Sequence, residues 1–257
     1  MGTYLITGAS SGIGAACTQK LVEHGHTVVL VARNQEKLQS FAAKLGGKSY
    51  CYPYDLEDLN HIQSIFDFCK QEGLKLDGMI YCAGIDIESP IKGCSPGIWE
   101  RAMKINCLAF AEIGRIFYSK RYSNEYARIV AISSSSSITC DKGMGPYSAS
   151  KAALNAVIKT MAKEFIRRGI LVNAVLPTGV LTAMTAAKIV KMTGEKFDYE
   201  GKAVILDAHP LRIQEKLEQP LGLITPGNLA NFIIYLISED NRYITGALLP
   251  VSAGLII

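Results

Sequence analysis

The sequence lacks the features that mark metal proteins, secreted proteins and membrane proteins. Its seven cysteines are scattered and include no C-x-x-C pair, a pattern that predicts reduced thiols in a cytoplasmic protein. Neither these cysteines nor the four histidines stand at the spacing of metal ligands, so we predict no metal site. The longest apolar runs, such as residues 232–237, are far shorter than the ~20 residues of a membrane helix, and we predict no membrane partner.

The chain also lacks a strong excess of charge. The net charge is +4 over 257 residues, and the densest basic group, Lys163 with Arg167 and Arg168, is typical of a solvated helix face. We therefore predict no nucleic-acid partner. No proline-rich or serine-rich linker and no internal repeat divides the sequence, and Met1 leaves no room for a signal peptide before the first apolar run. A single folded domain over residues 1–257 is predicted.

What the sequence does contain is, first, a glycine-rich loop from Thr7 to Gly14, T-G-A-S-S-G-I-G. It follows an apolar run at 4–6, which predicts a buried strand, and it precedes a helix predicted over 15–23. The first amides of a helix have no internal partner and its amino end is positive, so a phosphate can bind there. Glycines allow the tight turn and the close approach of a ligand. By itself, the motif is also compatible with a plain turn between strand and helix.

Further short runs are apolar without alternation, which is typical of parallel strands buried on both faces. They lie at 27–32, 78–82, 128–133 and 170–176. Amphipathic segments of helical length lie between and after them, at 35–45, 56–72, 96–122 and 147–168. This alternation predicts an α/β fold with a Rossmann-like, doubly wound parallel sheet.

The ends of the predicted strands suggest a dinucleotide ligand. At the end of the second strand a carboxylate would bind ribose hydroxyls, which Ala32 cannot do, whereas the guanidinium of Arg33 suits a 2′-phosphate. This favours NADP(H) over NAD(H), unless Arg33 is only a solvated residue at a strand end. After the third strand, Asp55 with Leu56 either faces an adenine or caps a helix that begins at Leu56. After the fourth, the small pair at 83–84 lets a ligand approach the backbone.

Polar residues with a possible chemical role follow in the second half. Asn106 stands in an otherwise apolar helical segment, where its amide must either tie a neighbouring strand or hold a water. Five serines run from 133 to 137. Tyr147 and Lys151 are four residues apart and therefore share a helix face.

Together these residues resemble the short-chain dehydrogenase/reductase family, in its compact single-domain branch, and are similar to its 3-oxoacyl-(acyl-carrier-protein) reductases. The match covers nearly the whole chain. It rests on the loop, on Ser134 thirteen residues before Tyr147, on Asn106 and on the Tyr147/Lys151 pair. Segments that match further on are 173–177 with Thr182, 244–246 and 250–254.

The resemblance implies a hydride transfer between a nicotinamide and a carbonyl or alcohol. Tyr147 would be the general acid/base, with its pKa lowered by Lys151 and by the positive nicotinamide ring, and Lys151 would also bind the nicotinamide ribose. Ser134 would polarise the carbonyl oxygen, and Asn106 would position a water. The cofactor contacts that we predict are Gly8, Ser10, Ser11, Gly12, Ile13, Gly14, Arg33, Asp55, Leu56, Ala83, Gly84, Tyr147, Lys151, Pro177, Val180 and Thr182.

The predicted function is therefore an NADP(H)-dependent oxidoreductase for a small-molecule carbonyl or alcohol. An NAD-dependent alcohol or hydroxysteroid dehydrogenase and a non-catalytic NADP-binding sensor are the alternatives. The family resemblance also implies a homodimer or homotetramer. Helical segments that are apolar on more than one side fit such contacts, although wide burial in the core would explain them equally; their residues include Leu108, Phe110, Ile113 and Phe117.

Some residues depart from the family's pattern. Tyr81 and Cys82 stand where two asparagines are common, so a hydrogen bond to the central sheet is either missing or replaced. Thr178 replaces a glycine, Ser252-Ala253 replaces Asp-Gly, and Ser11 stands where many NADP-using members have a basic residue. Residues 183–225 match least. We predict that they form a substrate lid, although the second half could instead pack as a structural excursion.

Overall fold

Seven parallel strands form one sheet in the computed structural model, which describes residues 1–186 and 219–255. The strands are β1 Thr3–Thr7, β2 Thr27–Ala32, β3 Ser49–Pro53, β4 Leu76–Tyr81, β5 Ser123–Ile132, β6 Leu171–Pro177 and β7 Leu248–Val251. Their order across the sheet is β3-β2-β1-β4-β5-β6-β7, and every neighbouring pair is parallel. The predicted Rossmann-like α/β sheet is confirmed.

Both faces of the sheet are covered by helices. The helices are α1 Gly12–Glu23, α2 Gln35–Ala43, α3 Gln63–Gln71, α4 Pro96–Met103, α5 Ala109–Phe117, α6 Ser136–Thr139, α7 Gly145–Phe165 and α8 Pro226–Ile237. Helices α1, α2 and α8 pack into the apolar cluster on one face, and α3, α5 and α7 pack into the cluster on the other. Successive strand residues alternate between the clusters, as Leu5 and Ile6 do, which explains the strands' continuous apolar runs.

The starts of two helices differ from prediction by three residues or more. Helix α3 begins at Gln63 and not at residue 56, because the side chains of Asp55 and Asp58 accept hydrogen bonds from the amides of Glu57 and Asn60 and so form turns. Asp55 is therefore not the cap of this helix. Helix α1 begins at Gly12, three residues before the predicted start, so the second half of the glycine loop forms its first turn.

The predicted helix at 96–122 is divided into α4 and α5 by a π-helical turn, Lys104–Leu108. Phe110, Ile113 and Phe117 are fully buried in the core, whereas Leu108 is 43% exposed. Core packing therefore accounts for three of the four apolar positions, and the predicted oligomeric contact stays a prediction. Among the described helices, none has both the length and the apolar character needed to cross a membrane.

The predicted lid at 183–225 is described only at its ends, because residues 187–218 lie outside the described part of the chain. At the far end, Oε1 of Gln219 accepts a hydrogen bond from the amide of Gly179 at 2.6 Å, and Val180 pairs with Ile224 in a short bridge. The segment therefore returns to the loop that follows β6, and closure over a substrate stays a prediction.

The strand order places a crevice at the carboxyl ends of β1 and β4. From β1 the chain adds β2 and β3 on one side of the sheet, and then crosses to β4 on the other side of β1. The connection that leaves β1 therefore runs towards β2, and the connection that leaves β4 runs the other way, towards β5. Ligands of open α/β sheets bind at this reversal point.

Candidate active site

A cleft of about 460 Å³ occupies this crevice. Every residue predicted to contact a cofactor lines it, and so does Ser134. Asn106 is fully buried behind the cleft wall and does not line it. The first residues of the predicted lid, Ala183 to Thr185, line the cleft as well. Tertiary structure thus brings together residues that are up to 177 positions apart, from Gly8 to Thr185.

The glycine loop forms the floor of the cleft and leaves no room for side chains at two positions. Gly8 has φ of +64°, and a Cβ atom there would lie 3.0 Å from the amide nitrogen of Ala83. A Cβ atom on Gly14 would lie 2.4 Å from the carbonyl oxygen of Gly8. The cap residue of α1, Ser11, makes no side-chain cap, and the first turn contains no acidic residue. The amino end of α1 is therefore suited to an anion.

At the β2 end, two cations line the cleft. Arg33 had been predicted from the sequence, but Lys37 had not. Lys37 is in the first turn of α2. Asn34 caps this helix, because its Oδ1 accepts a hydrogen bond from the backbone amide of Lys37 at 2.8 Å. Neither Arg33 nor Lys37 forms an ion pair with any other residue that the structure describes. Arg33 precedes the cap of α2, so no helical spacing links it to Lys37, and the sequence carries no signal that singles out Lys37.

At the opposite end, Tyr147 and Lys151 lie one turn apart on α7. Nζ of Lys151 is 5.9 Å from the centre of the Tyr147 ring and donates a hydrogen bond to the carbonyl of Ile132 at 2.7 Å. Lys151 is 4% exposed, and a Cβ atom on Gly84 would lie 3.4 Å from its Nζ. The carbonyl at the end of β5 therefore fixes the position of the ammonium group.

Ser134 is the serine of the run at 133–137 that meets Tyr147, because its hydroxyl is hydrogen-bonded to the Tyr147 side chain. The amide of Ser136 donates to Oγ of Ser134 at 3.1 Å, which leaves the Ser134 hydrogen for another acceptor. The hydroxyl of Ser137 instead donates to the Ser134 carbonyl at 2.6 Å. Ser133 also lines the cleft, but its hydroxyl donates to the carbonyl of Lys151 at 3.4 Å, which leaves Ser134 as the serine that is hydrogen-bonded to Tyr147.

Burial controls the ionisation of both groups. It raises the pKa of Tyr147 to about 12, against a smaller lowering by the Ser134 hydrogen bond, and the Asp86 charge raises it further. Burial also lowers the pKa of Lys151 to about 8, although nearby Cys82, Asp86 and Cys107 oppose this shift. The predicted lowering of the Tyr147 pKa by Lys151 is therefore wrong for the protein without ligands. At neutral pH the tyrosine keeps its proton, and most of the lysine is charged.

Asn106 ties two neighbouring elements together. Its Oδ1 accepts from the amide of Ile85 at 2.9 Å, and its Nδ2 donates to the carbonyl of Ile85 at 3.0 Å and to Oγ of Ser150 at 2.9 Å. The side chain of Asn106 thus connects the segment that follows β4 with α7 and does not tie a strand, and the water predicted at Asn106 stays a prediction. Ser150, which sequence reasoning missed, passes this connection on by donating to the carbonyl of Tyr147 at 2.7 Å.

Thr178 introduces a polar atom that the sequence analysis did not assign to the site. The residue lines the cleft, and its Oγ1 is buried without a hydrogen-bond partner among the described residues. A buried hydroxyl without a partner is costly, so a polar ligand group at this point would be stabilised.

Comparisons with known proteins agree with this geometry. The family model of the short chain dehydrogenases matches residues 3–192. The 3-oxoacyl-(acyl-carrier-protein) reductase of Rickettsia bellii (strain RML369-C) is 30% identical over 254 residues, which cover 99% of this chain and 96% of that protein. The corresponding reductase of Thermotoga maritima is 29% identical over 256 residues, with 98% and 97% covered.

A solved structure of similar fold agrees with these sequence matches. A variant of actinorhodin polyketide ketoreductase with NADPH superimposes with a TM-score of 0.86 at 25% identity, and the superposition covers 99% of this chain and 97% of that one. The matched family model spans the glycine loop, the serine turn and the Tyr147/Lys151 helix that form the cleft. The chain belongs to the short-chain dehydrogenase/reductase family.

Proposed function

We propose that the protein is an NADP(H)-dependent carbonyl reductase whose general acid is Tyr147. The observation that supports this most directly is the placement of three groups on one wall of the dinucleotide cleft: the hydroxyls of Ser134 and Tyr147, which are hydrogen-bonded to each other, and the ammonium of Lys151. The names of the relatives, which include 3-oxoacyl reductases and a polyketide ketoreductase, favour a ketone with an acyl chain as substrate.

The residues of the cleft fit a nicotinamide dinucleotide phosphate. Gly8 and Gly14 form a cradle that a Cβ atom would fill, beside a helix end suited to phosphate. Arg33 and Lys37 supply positive charge for a 2′-phosphate at one end. At the other end, Thr178 offers a hydroxyl that has no hydrogen-bond partner in the described part of the chain and that could bind the nicotinamide amide.

When bound, the reduced cofactor would supply a hydride to the carbonyl carbon. The chain's own part is to hold the carbonyl oxygen and to protonate it. Ser134 donates a hydrogen bond to that oxygen, where negative charge develops, and Tyr147 transfers its phenolic proton to it. The charge of Lys151 then stabilises the phenolate that Tyr147 becomes. A tyrosine with a pKa near 12 is fully protonated at neutral pH, so the resting protein is prepared for reduction.

A substrate panel tests the proposal. Purified protein is mixed with NADPH or NADH and with ketones, aldehydes and 3-oxoacyl thioesters, and the loss of reduced-cofactor absorbance is followed. We expect turnover of at least one carbonyl, faster with NADPH. Tight NADPH binding without any turnover would instead favour the non-catalytic sensor. Equal or faster turnover with NADH, together with oxidation of alcohols by NAD, would favour the alternative dehydrogenase.

The cofactor preference is tested by removing the two cations separately. Arg33→Ala and Lys37→Ala are each expected to weaken NADPH binding by about 10- to 100-fold, since a hydrogen bond to a charged group contributes roughly 1.5–3 kcal/mol. NADH lacks the 2′-phosphate, so its affinity is expected to change little. Fluorescence titration of each variant with both cofactors measures the ratio. Lys44→Ala, an exposed lysine at the other end of α2, is the control. Equal losses for NADPH and NADH would contradict the assignment.

A further inference from the structure

The π-helical turn before α5 leaves one backbone carbonyl without its helical partner. In an α-helix the amide of Ala109 would donate to the carbonyl of Ile105, four residues earlier. Here it donates to the carbonyl of Lys104, five residues earlier. The Ile105 carbonyl therefore needs another donor, because Ile105 is only 5% exposed and an unpaired buried carbonyl is costly.

The hydroxyl of Tyr81 is that donor. Tyr81 is the last residue of β4, is completely buried, and donates to the Ile105 carbonyl at 2.5 Å. Its ring packs edge-on against Phe110 of α5, with 5.4 Å between ring centres. The sheet thus holds the turn by one hydrogen bond and one ring contact, at a position where the family commonly has a smaller asparagine.

The residue that follows Ile105 is Asn106, so the geometry of the turn sets the position of its side chain. Asn106 binds both backbone groups of Ile85 in the cleft wall, and it donates to Oγ of Ser150 on α7. Ser150 in turn donates to the carbonyl of Tyr147. Hydrogen bonds, together with the peptide link between Ile105 and Asn106, therefore connect Tyr81 to the main chain of the proposed general acid.

We propose that Tyr81 is a positioning residue for the reaction. Its hydroxyl stabilises the π-helical turn against a regular helix, and the turn places Asn106 so that Ile85 and Tyr147 are held for catalysis. This inference rests on the proposed reductase function for its catalytic part. Its structural part, the placement of Asn106, can be measured in a protein without activity.

The test compares Tyr81→Phe with Tyr122→Phe. Both variants lose the hydroxyl of a buried tyrosine, but that of Tyr122 donates to Asp67, and Tyr122 does not line the cleft. In Tyr81→Phe we expect kcat to fall about tenfold with KM for the carbonyl unchanged, as for a loss of hydrogen-bond positioning. Amide hydrogen exchange at Ile85 is expected to become about tenfold faster, since Asn106 no longer holds that amide. In Tyr122→Phe both quantities are expected to stay at the parent values.

A second variant, Asn106→Ala, separates positioning from a general loss of stability. It is expected to speed exchange at Ile85 by itself, and adding Tyr81→Phe to it should lower kcat little further, because both changes interrupt the same series of bonds. Additive losses would overturn the inference, and so would parent-like exchange at Ile85 in Tyr81→Phe. If the parent protein reduces no carbonyl, the proposed function fails, while faster exchange at Ile85 in Tyr81→Phe alone would still support the placement of Asn106 by Tyr81.

Discussion

Replacing Tyr147 by phenylalanine is expected to lower kcat for carbonyl reduction by about 10²- to 10⁴-fold, the usual contribution of a general acid. The ring and its packing stay in place, and only the proton donor is lost. The Ser134 hydroxyl would remain, so the carbonyl could still be bound and polarised. The affinity for NADPH should therefore stay within a few-fold of the parent value.

The measurement is steady-state reduction of the best substrate of the panel, together with an NADPH titration. Tyr4→Phe is a suitable control, because that tyrosine is also mostly buried with a raised pKa, but lies in β1 outside the cleft lining. Its kcat should match the parent. A Tyr147→Phe variant with undiminished kcat and intact NADPH binding would show that another group supplies the proton.

Replacing Gly14 by alanine is expected to weaken NADPH binding by more than about 100-fold, through the loss of a formed phosphate site. The added Cβ atom would lie 2.4 Å from the Gly8 carbonyl oxygen, 2.9 Å from the Gly8 carbonyl carbon and 3.2 Å from the Ala9 Cα atom. All three are main-chain atoms, so no side chain can move aside. The loop itself must shift, and the amino end of α1 is displaced with it.

Fluorescence titration with NADPH and thermal unfolding without cofactor measure this effect. Gly227→Ala is the matched control: Gly227 lies in α8, and a Cβ atom there meets nothing within 4 Å. Alanine is a better helix former by about 1 kcal/mol, so this variant should bind NADPH normally and unfold at the same or a higher temperature. If Gly14→Ala binds NADPH as tightly as the parent, the glycine loop is not the phosphate site.

Much of the site could be predicted from the sequence, because its parts are local. The glycine loop, the Tyr147/Lys151 spacing on one helix face and the serine turn each depend on neighbours within a few residues. The predicted strand ends are local features too, and the residues that follow them were predicted to contact the cofactor and do line the cleft. Lys37 was missed, since a lysine on an exposed helix start has no pattern of its own.

Other features depend on residues that are distant in the chain. The division of the 96–122 segment into two helices could not be predicted, because the carbonyl freed by the π-helical turn is satisfied by Tyr81, some 24 residues earlier. Without a bound cofactor, the pKa of Tyr147 is raised and not lowered as the sequence predicts. Proximity to a lysine can be read from a spacing of four, but burial depends on everything packed around the hydroxyl, and here burial dominates.

The sequence by itself thus determined the fold class, the family and many, though not all, of the residues that line the cleft, since periodicity and motif spacing are properties of short segments. Only the tertiary structure decided which groups hold the site residues and how burial shifts their pKa values. Lys151 is held by the Ile132 carbonyl, and Asn106 is held by Ile85 and Ser150. The Ile105 carbonyl is held by Tyr81. Hydrogen bonds between distant segments and exclusion of water arise only when the strands and helices pack together.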